Sequence, residues 1–458
     1  MHSPQRSYNL GILVIFGLSV MTHSAQSSPL NPGLYSNNTT TFITTTTNVD
    51  SVSLGVGTNN SLIVTNGGKI INGTSVSIGY ETNSVNNSIV VTGSNSSFIN
   101  NTYTQLGYYG SGNMLIISNG ASYVSPQALT VGGYGSSNFV IVSGVGSTLS
   151  ADASYGSITL QGTGLGNSLT IANNGKVNAN SITVGARSVL NIGTYQSNDL
   201  AGIPNVASIS TTTAGIYSAV LNFNQANTLT LTSAISGNGK INQLGSGTTI
   251  LSASNSFSGA TYVSAGTMLI NGSSANNTVT VASGGTLGGI GKLGDVTIQG
   301  GGTLSTTNNY GPFFVNSLTL ASNAAIKLSV SGTNTTQFDS ITAAGAIALG
   351  GSLYINMSGS YNSTNKPGLF QIFTTGAGIT GNFSSVTLAG SYVGSMDYYS
   401  NNNTWQIWSA LGPAPYYANL NLNTGVLTVV PEPSTCVLVG LGALAFLIRF
   451  SSRKDSLG

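Results

Sequence analysis

Residues that could carry acid–base or nucleophilic chemistry are few in this chain and lie far apart. Both histidines, His2 and His23, stand near the N-terminus, and the one cysteine, Cys436, stands near the C-terminus. Charged residues make up only 4% of the sequence. The acids between the two ends are Asp50, Glu81, Asp152, Asp199, Asp295, Asp339 and Asp397. This inventory limits the sites that the chain can build.

The inventory argues against an active site in the body of the chain. A histidine base or a zinc site of His and Cys needs residues that only the two ends supply. A glycosidase needs two carboxylates that face each other, and a calcium site needs clustered acids. The chain contains a repeated segment, described below, that predicts stacked coils. No two of these acids are one repeat apart, so stacking would not bring a pair together. We expect no catalytic residue, metal or cofactor, and a glycan-active enzyme is the least favoured alternative.

The basic residues give no sign of nucleic-acid binding. Four of the eleven, Arg6, Arg449, Arg453 and Lys454, belong to the two ends, so the net charge of +2 does not come from the body. Binding to nucleic acid requires clustered Lys and Arg that displace counterions. Nucleic acid is therefore not an expected partner.

The N-terminal residues 1–27 are predicted to form a secretory signal peptide. Arg6 supplies a positive start, residues 10–21 (LGILVIFGLSVM) form a short apolar run, and residues 25–27 (AQS) offer a cleavage position. An uncleaved N-terminal anchor is the alternative. If the segment is removed, the mature chain has no histidine. A Thr- and Asn-rich leader, residues 28–49, follows it.

Short alternating segments predict an all-β body. Residues 61–65 (SLIVT), 88–92 (SIVVT) and 228–232 (TLTLT) alternate apolar and polar side chains and are bounded by Asn or Gly. This period of two is typical of strands that are buried on one side. No helical periodicity occurs between the two ends of the chain.

Repeats in residues 50–226 indicate how the strands are arranged. Asn60, Asn113 and Asn167 head similar segments at spacings of 53 and 54, and related segments at 86–99 and 137–150 lie between them. The repeated segment is thus about half of that spacing in length. This length is too short for a domain but suits one coil of a right-handed parallel β-helix. We expect nine to ten coils over residues 50–305, a rod of roughly 45 Å. Asparagines should stack from coil to coil. An array of β-sandwiches is the alternative.

Residues 227–309 differ in sequence from the repeats that precede them. They contain residues 234–239 (AISGNG), 255–261 (NSFSGAT), 265–269 (AGTML) and 283–289 (SGGTLGG). This order resembles the autotransporter-associated β-strand repeat of large exported proteins. The resemblance implies a passenger-like rod.

Residues 310–430 are richer in aromatic side chains and are predicted to be a C-terminal β region that caps the rod. An open solenoid end exposes unpaired strand edges, so a cap is expected. The aromatic side chains include Trp405 and Trp408, with Tyr398 and Tyr399 nearby. Packing within the cap is one interpretation, and a platform on which sugar rings stack is the other.

The last segment, residues 431–458, combines three parts. Pro431, Glu432, Pro433 and Ser434 come first, an apolar run to Phe450 follows, and the basic stop-transfer residues Arg449, Arg453 and Lys454 lie at its end. This order resembles the PEP-CTERM sorting signal. The resemblance implies a single transmembrane helix in the inner membrane, with cleavage near Pro431 by an exosortase-like protease. Cys436 would be a small apolar residue of the span, with lipidation as the alternative.

Together these features predict an exported, non-catalytic β-rod protein of the cell surface or extracellular matrix. Its expected partners are the secretion translocon, the exosortase-like protease and the inner membrane. The released body could contact exopolysaccharide or neighbouring copies of itself. An adhesin or carbohydrate-binding surface protein is the alternative function.

Overall fold

The computed structural model describes residues 38–431 apart from positions 56, 152–155, 195–198, 307–309, 359–367 and 410–415. Every regular element in these residues is a β-strand. This part of the chain contains no helix long and apolar enough to cross a membrane. The predicted signal peptide lies outside the described residues. So does the predicted sorting tail with its transmembrane helix, except for Pro431.

The N-terminal strands wind into successive coils, and each of the first five coils has three strands. The strands of this part are β1 (Thr40–Ile43), β2 (Thr46–Val49), β3 (Val52–Leu54), β4 (Ser61–Val64), β5 (Lys69–Asn72), β6 (Val76–Ile78), β7 (Ser88–Thr92), β8 (Ser97–Asn100), β9 (Tyr103–Leu106), β10 (Met114–Ser118), β11 (Ser122–Val124), β12 (Ala128–Val131), β13 (Phe139–Ser143), β14 (Thr148–Ala151), β15 (Ser157–Leu160), β16 (Ser168–Ala172), β17 (Lys176–Val184), β18 (Val189–Ile192) and β19 (Ile203–Thr211).

The coils continue through the middle of the chain, interrupted by one small hairpin made by β20 and β21. The strands are β20 (Thr213–Ala214), β21 (Tyr217–Ser218), β22 (Val220–Phe223), β23 (Thr228–Leu231), β24 (Ala234–Gly237), β25 (Lys240–Gln243), β26 (Thr248–Leu251), β27 (Thr261–Val263), β28 (Thr267–Ile270), β29 (Ser273–Val281), β30 (Thr286–Gly288), β31 (Lys292–Ile298), β32 (Thr303–Ser305), β33 (Gly311–Val315), β34 (Ser317–Leu320), β35 (Ala325–Val330), β36 (Asp339–Ala343), β37 (Ile347–Leu349) and β38 (Ser352–Met357).

The last strands complete the final coil and then turn antiparallel. They are β39 (Gly368–Gln371), β40 (Phe373–Thr375), β41 (Ile379–Gly381), β42 (Ser385–Gly390), β43 (Gly394–Tyr399), β44 (Thr404–Ser409), β45 (Tyr416–Asn421) and β46 (Val426–Pro431).

One parallel sheet, here called sheet 1, runs through every coil. Its strands are β1, β4, β7, β10, β13, β16, β18, β22, β25, β27, β29 and β31, followed by the pairs β33 with β34, β36 with β37, and β40 with β41. The register is unbroken through the first coils, where Ser61 lies opposite Ser88 and Ser88 lies opposite Met114. It shifts once between β29 and β31, near Ser274. Because each strand pairs in parallel with the strand one coil later, the chain is a solenoid.

Two further sheets form the other walls. Sheet 2 contains β2, β3, β5, β6, β8, β9, β11, β12, β14, β15, β17, β19 and β24, and the parallel part of sheet 3 contains β23, β26, β28, β30, β32, β35, β38 and β42. In the first five coils sheet 2 has two short strands per coil. These merge into single nine-residue strands in β17 and β19. The cross-section therefore changes along the rod.

The core is a stack of mostly aliphatic side chains along the axis, with buried aromatic rings such as Phe98 and Tyr123 among them. Burial alternates within each strand, as in β10, where Leu115 and Ile117 are fully buried and their neighbours are not. Leu115 lies opposite Ile89 on one side and Val140 on the other. Burying one such side chain stabilises the fold by about 1.5–3 kcal/mol. A slip of one residue would turn the apolar side chains outward, so this pattern fixes the register.

A buried column of amides, here called the asparagine ladder, precedes sheet 1 in five successive coils. Its members are Asn60, Asn87, Asn113, Asn138 and Asn167, all at most 1% exposed. In each step the backbone N–H of one asparagine donates to the Oδ1 of the next, over 2.9 to 3.0 Å. The separations along the chain are 27, 26, 25 and 29 residues. The ladder thus satisfies polar groups that burial would otherwise penalise.

The coils shorten towards the middle of the rod. Ile241 pairs with Thr261, Thr261 with Val279 and Val279 with Val296, so each of these coils is shorter than the one before it. Here the internal polar groups change as well. Thr249 Oγ1 donates to Gln243 Oε1 over 2.6 Å and accepts a hydrogen bond from Gln225 Nε2 over 2.8 Å.

The rod ends in an antiparallel sheet, here called the cap. Strand β42 pairs antiparallel with β43, and the meander continues through β44 and β45 to β46, which pairs with β39. The prediction of an all-β, parallel, solenoid-like fold is confirmed. The solenoid begins at Thr40, within the predicted leader, and continues to Gly390, well into the predicted cap region.

Candidate functional site

The carboxylates do not come together in the described residues. Asp50, Glu81, Asp295 and Asp397 are exposed and lie on different coils or in the cap, and Asp199 is half-buried. Asp152 lies outside the described residues. Nowhere in the described part of the chain do three His, Cys, Asp or Glu side chains form a group that could hold a metal ion.

Asp339, the first residue of β36, is the one fully buried acid among the described residues. Its Oδ2 accepts a hydrogen bond from the backbone N–H of Ser329 over 2.7 Å. Burial raises the pKa of this carboxyl to about 7, although the Ser329 N–H and the Thr306 hydroxyl oppose the rise. The Thr306 hydroxyl is close but does not reach hydrogen-bond geometry. Because the whole side chain is enclosed by the core, we regard it as a structural group.

The two predicted sugar-stacking tryptophans occupy different environments. They stand three residues apart in β44, and such residues point to opposite faces of a strand. Trp405 is 6% exposed, and its Nε1 donates to Asn382 Oδ1 over 2.8 Å. Trp408 is 68% exposed and packs against Tyr417, with ring centroids 4.5 Å apart. Only Trp408 presents an open ring, and the stacking role of the pair stays a prediction.

A second group of aromatic side chains lies at one corner of coils two to four. This tyrosine cluster consists of Tyr80, Tyr108, Tyr109 and Tyr134. Tyr80 stacks on Tyr108 with centroids 5.4 Å apart, and Tyr109 stacks on Tyr134 at 5.1 Å. Tyr108 and Tyr109 meet edge to face at 4.6 Å. Tyr80, Tyr109 and Tyr134 are 40–58% exposed, so the cluster presents an aromatic surface to solvent.

The backbone of the corner holds these rings in place. The Tyr134 N–H donates to the Tyr108 carbonyl over 2.6 Å, and the Tyr109 N–H donates to the Tyr80 carbonyl over 3.3 Å. The corner glycines Gly107 and Gly132 have φ of 72° and 85°. A Cβ at Gly107 would also collide with Asn138 of the ladder, and a Cβ at Gly132 would collide with Asn167. The glycines therefore let the corner close on the ladder and turn the tyrosines outward.

An open groove of about 370 Å³ adjoins the cluster on the outer surface of β3, β6 and β9. Tyr80 and Tyr103 contribute aromatic surface, and Glu81 contributes one carboxylate. Most of the remaining lining is polar and uncharged: Ser51, Ser53, Ser75, Ser77 and Gln105. Ser77 Oγ is buried beneath the groove surface and makes no hydrogen bond. A concave groove with polar side chains beside open aromatic rings has a geometry that suits binding.

Sequence reasoning missed the tyrosine cluster, although the sequence carries a signal for it. The segments 107–113 (GYYGSGN) and 132–138 (GGYGSSN) both set tyrosine after glycine and end at a ladder asparagine. Tyr109 and Tyr134 are 25 residues apart, which is one coil in this part of the rod. An alignment by single coils would have stacked these tyrosines. The prediction compared asparagines that lie two coils apart, and that spacing hid the match.

Comparison with known proteins gives one family match. Residues 241–270 match the family described as passenger-associated-transport-repeat. The segment runs from β25 to the end of β28 and lies in the short coils. It falls within residues 227–309, so the predicted resemblance to an autotransporter-type β-repeat is confirmed for that segment. No curated protein matches the chain.

Among solved structures, the chain is similar to a hyper-glycosylated fragment of TibA whose glycosylation was catalysed by TibC. The identity is 14%, and the match covers 80% of this chain and 100% of the TibA fragment. The TM-score is 0.33, so the likeness carries no argument about function.

Proposed function

We propose that the protein is an exported, non-catalytic β-rod of the cell surface or extracellular matrix. The observation that carries this proposal is the passenger-type repeat at residues 241–270, built into one continuous parallel solenoid. A rod of stacked coils offers a long, stable surface with little charge, which suits a structural role in a neutral hydrated matrix. We assign the coil a right hand, the usual hand of parallel β crossovers.

The sorting route is a separate part of the proposal. The tail from Pro431 to Lys454 would hold the chain in the inner membrane until an exosortase-like protease cuts near the Pro-Glu-Pro sequence. Pro431 is the last residue of β46, where it lies opposite Tyr416. A cut just beyond it would leave the cap sheet whole, so the released rod would keep its protected end.

Cell fractionation with two epitope tags tests export and sorting. The internal tag belongs at the tip of the β20–β21 hairpin, because Ile216 is 89% exposed there and an insertion would not disturb a coil. The second tag follows Lys454. We expect the internal tag at the cell surface or in the medium and the terminal tag in the inner membrane.

A tail variant in which Pro431, Glu432 and Pro433 are replaced by alanine is the matched control. It should keep both tags together in the membrane. An internal tag that stays in the cytoplasm would refute export. Two tags that stay together in the native chain would refute processing but leave export standing.

Carbohydrate binding is a second candidate function, favoured in the cap by the open ring of Trp408 beside Tyr417. If this ring stacks on a sugar, Trp408→Ala should abolish binding at the cap and leave the unfolding temperature unchanged. Trp405→Ala should lower the unfolding temperature instead, since truncating a buried Trp costs about 3–5 kcal/mol. Binding that survives Trp408→Ala would exclude the cap as the sugar site.

A further inference from the structure

The tyrosine cluster is an exposed aromatic surface that the rod does not need for its own core. The interior of coils two to four is already filled by the buried apolar stack, which includes Phe98 and Tyr123, and by the asparagine ladder. Large exposed apolar surfaces that have a polar rim mark interaction sites in soluble proteins. The equivalent corner of the fifth coil carries Thr163 in place of tyrosine, so the surface is confined to one part of the rod.

We propose that the tyrosine cluster and the adjoining groove form a binding site for a neutral oligosaccharide. A pyranose ring presents axial C–H groups on one face, and these pack on the face of an aromatic ring. Its hydroxyl groups lie around the edge and need hydrogen-bond partners. The site offers both: open tyrosine rings along the corner, and hydroxyl and amide groups in the groove.

The polar part of the groove is ordered by the sheet. Ser53 lies opposite Ser77, Ser77 opposite Gln105, and Gln105 opposite Thr130 in the parallel registers of sheet 2. Their side chains therefore form an outward column that runs along the rod beside the tyrosines. The Ser77 hydroxyl is buried beneath this column, whereas Ser53, Gln105 and Thr130 are partly exposed. An extended chain of sugar units could follow the column from coil to coil.

Charge favours a neutral ligand. Glu81 is the charged side chain that lines the groove, and no Lys or Arg lines it. An acidic glycan would bring its own negative charges to a site that lacks a partner for them. Repulsion from Glu81 would weaken its binding further.

The packing of the rings argues against a cage for a quaternary ammonium group. Such a cage needs aromatic faces around a void into which the cation fits. Here neighbouring rings fill the space between them, with centroids 4.6 to 6.2 Å apart. What remains open is the outer surface of the cluster, which is suited to a flat ligand. This site does not depend on the export route proposed above.

A glycan array tests the proposal with the full-length chain purified in mild detergent. The array should carry neutral, sialylated and sulfated oligosaccharides. We expect saturable binding to neutral members, and the double change Tyr109→Ala with Tyr134→Ala should weaken it at least tenfold. Tyr109→Phe keeps the ring and should retain binding. Circular dichroism should show the same unfolding temperature for all variants.

The control is the double change Tyr262→Ala with Tyr354→Ala, which removes two tyrosines that are 41% and 40% exposed on other coils. It should leave binding unchanged. The proposal is overturned if no neutral glycan on the array binds, or if both double variants bind like the native chain. Preference for sulfated glycans, or competition by choline chloride alone, would also overturn it.

Discussion

At the scale of single residues, burial decides what the few acids do. Asp295 is exposed, and its Oδ1 accepts hydrogen bonds from Asn316 and Ser317, which hold the pKa of its carboxyl below the usual range. Asp339 is enclosed by the core, and desolvation raises its pKa. The same side chain therefore behaves oppositely at two points of one rod.

Asp339 should make stability fall as the pH rises from about 4 to about 7. In this window the unfolded chain has lost the proton of Asp339, while the folded chain, whose pKa is about 7, still holds it. The free energy of unfolding should decrease by about 1.4 kcal/mol per pH unit across the window and level off above it. Urea midpoints measured between pH 4 and 8 check this.

Asp339→Asn cannot ionise and should remove this dependence. Asp397→Asn, which changes an exposed carboxylate in the cap, should retain it. A native urea midpoint that is constant between pH 4 and 7 would contradict the assignment.

At the scale of elements, stacked asparagine side chains differ in burial: the asparagine ladder is buried, and other asparagines stack on the surface. In the buried ladder, Asn113 Oδ1 accepts hydrogen bonds from both the N–H and the Nδ2 of Asn87. On the surface, Asn205 Nδ2 donates to Asn178 Oδ1 over 3.0 Å, but water can replace that bond. A ladder asparagine should thus contribute more to the free energy of unfolding than a surface asparagine.

Asn113→Ala should lower the free energy of unfolding by about 2–5 kcal/mol, because it leaves the buried Asn87 N–H and Ser84 carbonyl without partners. Asn205→Ala is the matched surface change and should stay within about 0.5 kcal/mol. Urea unfolding followed by circular dichroism measures both. Equal losses in the two variants would mean that the ladder is not a major source of stability.

At the scale of the whole molecule, the rod is longer than the sequence predicted. Over residues 50–305 sheet 1 has eleven described strands, β4, β7, β10, β13, β16, β18, β22, β25, β27, β29 and β31, where nine to ten coils were expected. The coils continue to β42. Fourteen steps from β1 to β40 at about 4.8 Å each give a length of roughly 65 Å.

The cap should keep this rod from associating end to end. A chain truncated after Gly390 loses β43 to β46 and exposes the edge of β42, a template for pairing with another copy. We expect it to form oligomers in sedimentation velocity runs. A chain that lacks only residues 432–458 keeps the cap and should stay monomeric. Monomers in both cases would show that the edge is harmless.

The parts of the fold that repeat could be predicted from the sequence, and the parts that vary could not. The spacing of Asn60, Asn113 and Asn167 predicted stacked coils, because identical residues at equal intervals must lie in register. The shortening of the coils after Gln225 and the burial of Asp339 depend on three-dimensional packing. The tyrosine cluster could have been predicted from the single-coil spacing of Tyr109 and Tyr134. The burial of Trp405 follows from the cap sheet and has no local signal.

The stacking of coils also determines how the rod would respond to a pulling force. Hydrogen bonds between coils run along the axis, so a pull on one end strains the last coil first. Releasing a coil of 27 residues, such as that between Asn60 and Asn87, frees roughly 90 Å of extended chain, against about 4.8 Å while it is wound. A rod fixed at one end would therefore lengthen coil by coil and absorb force before it detached.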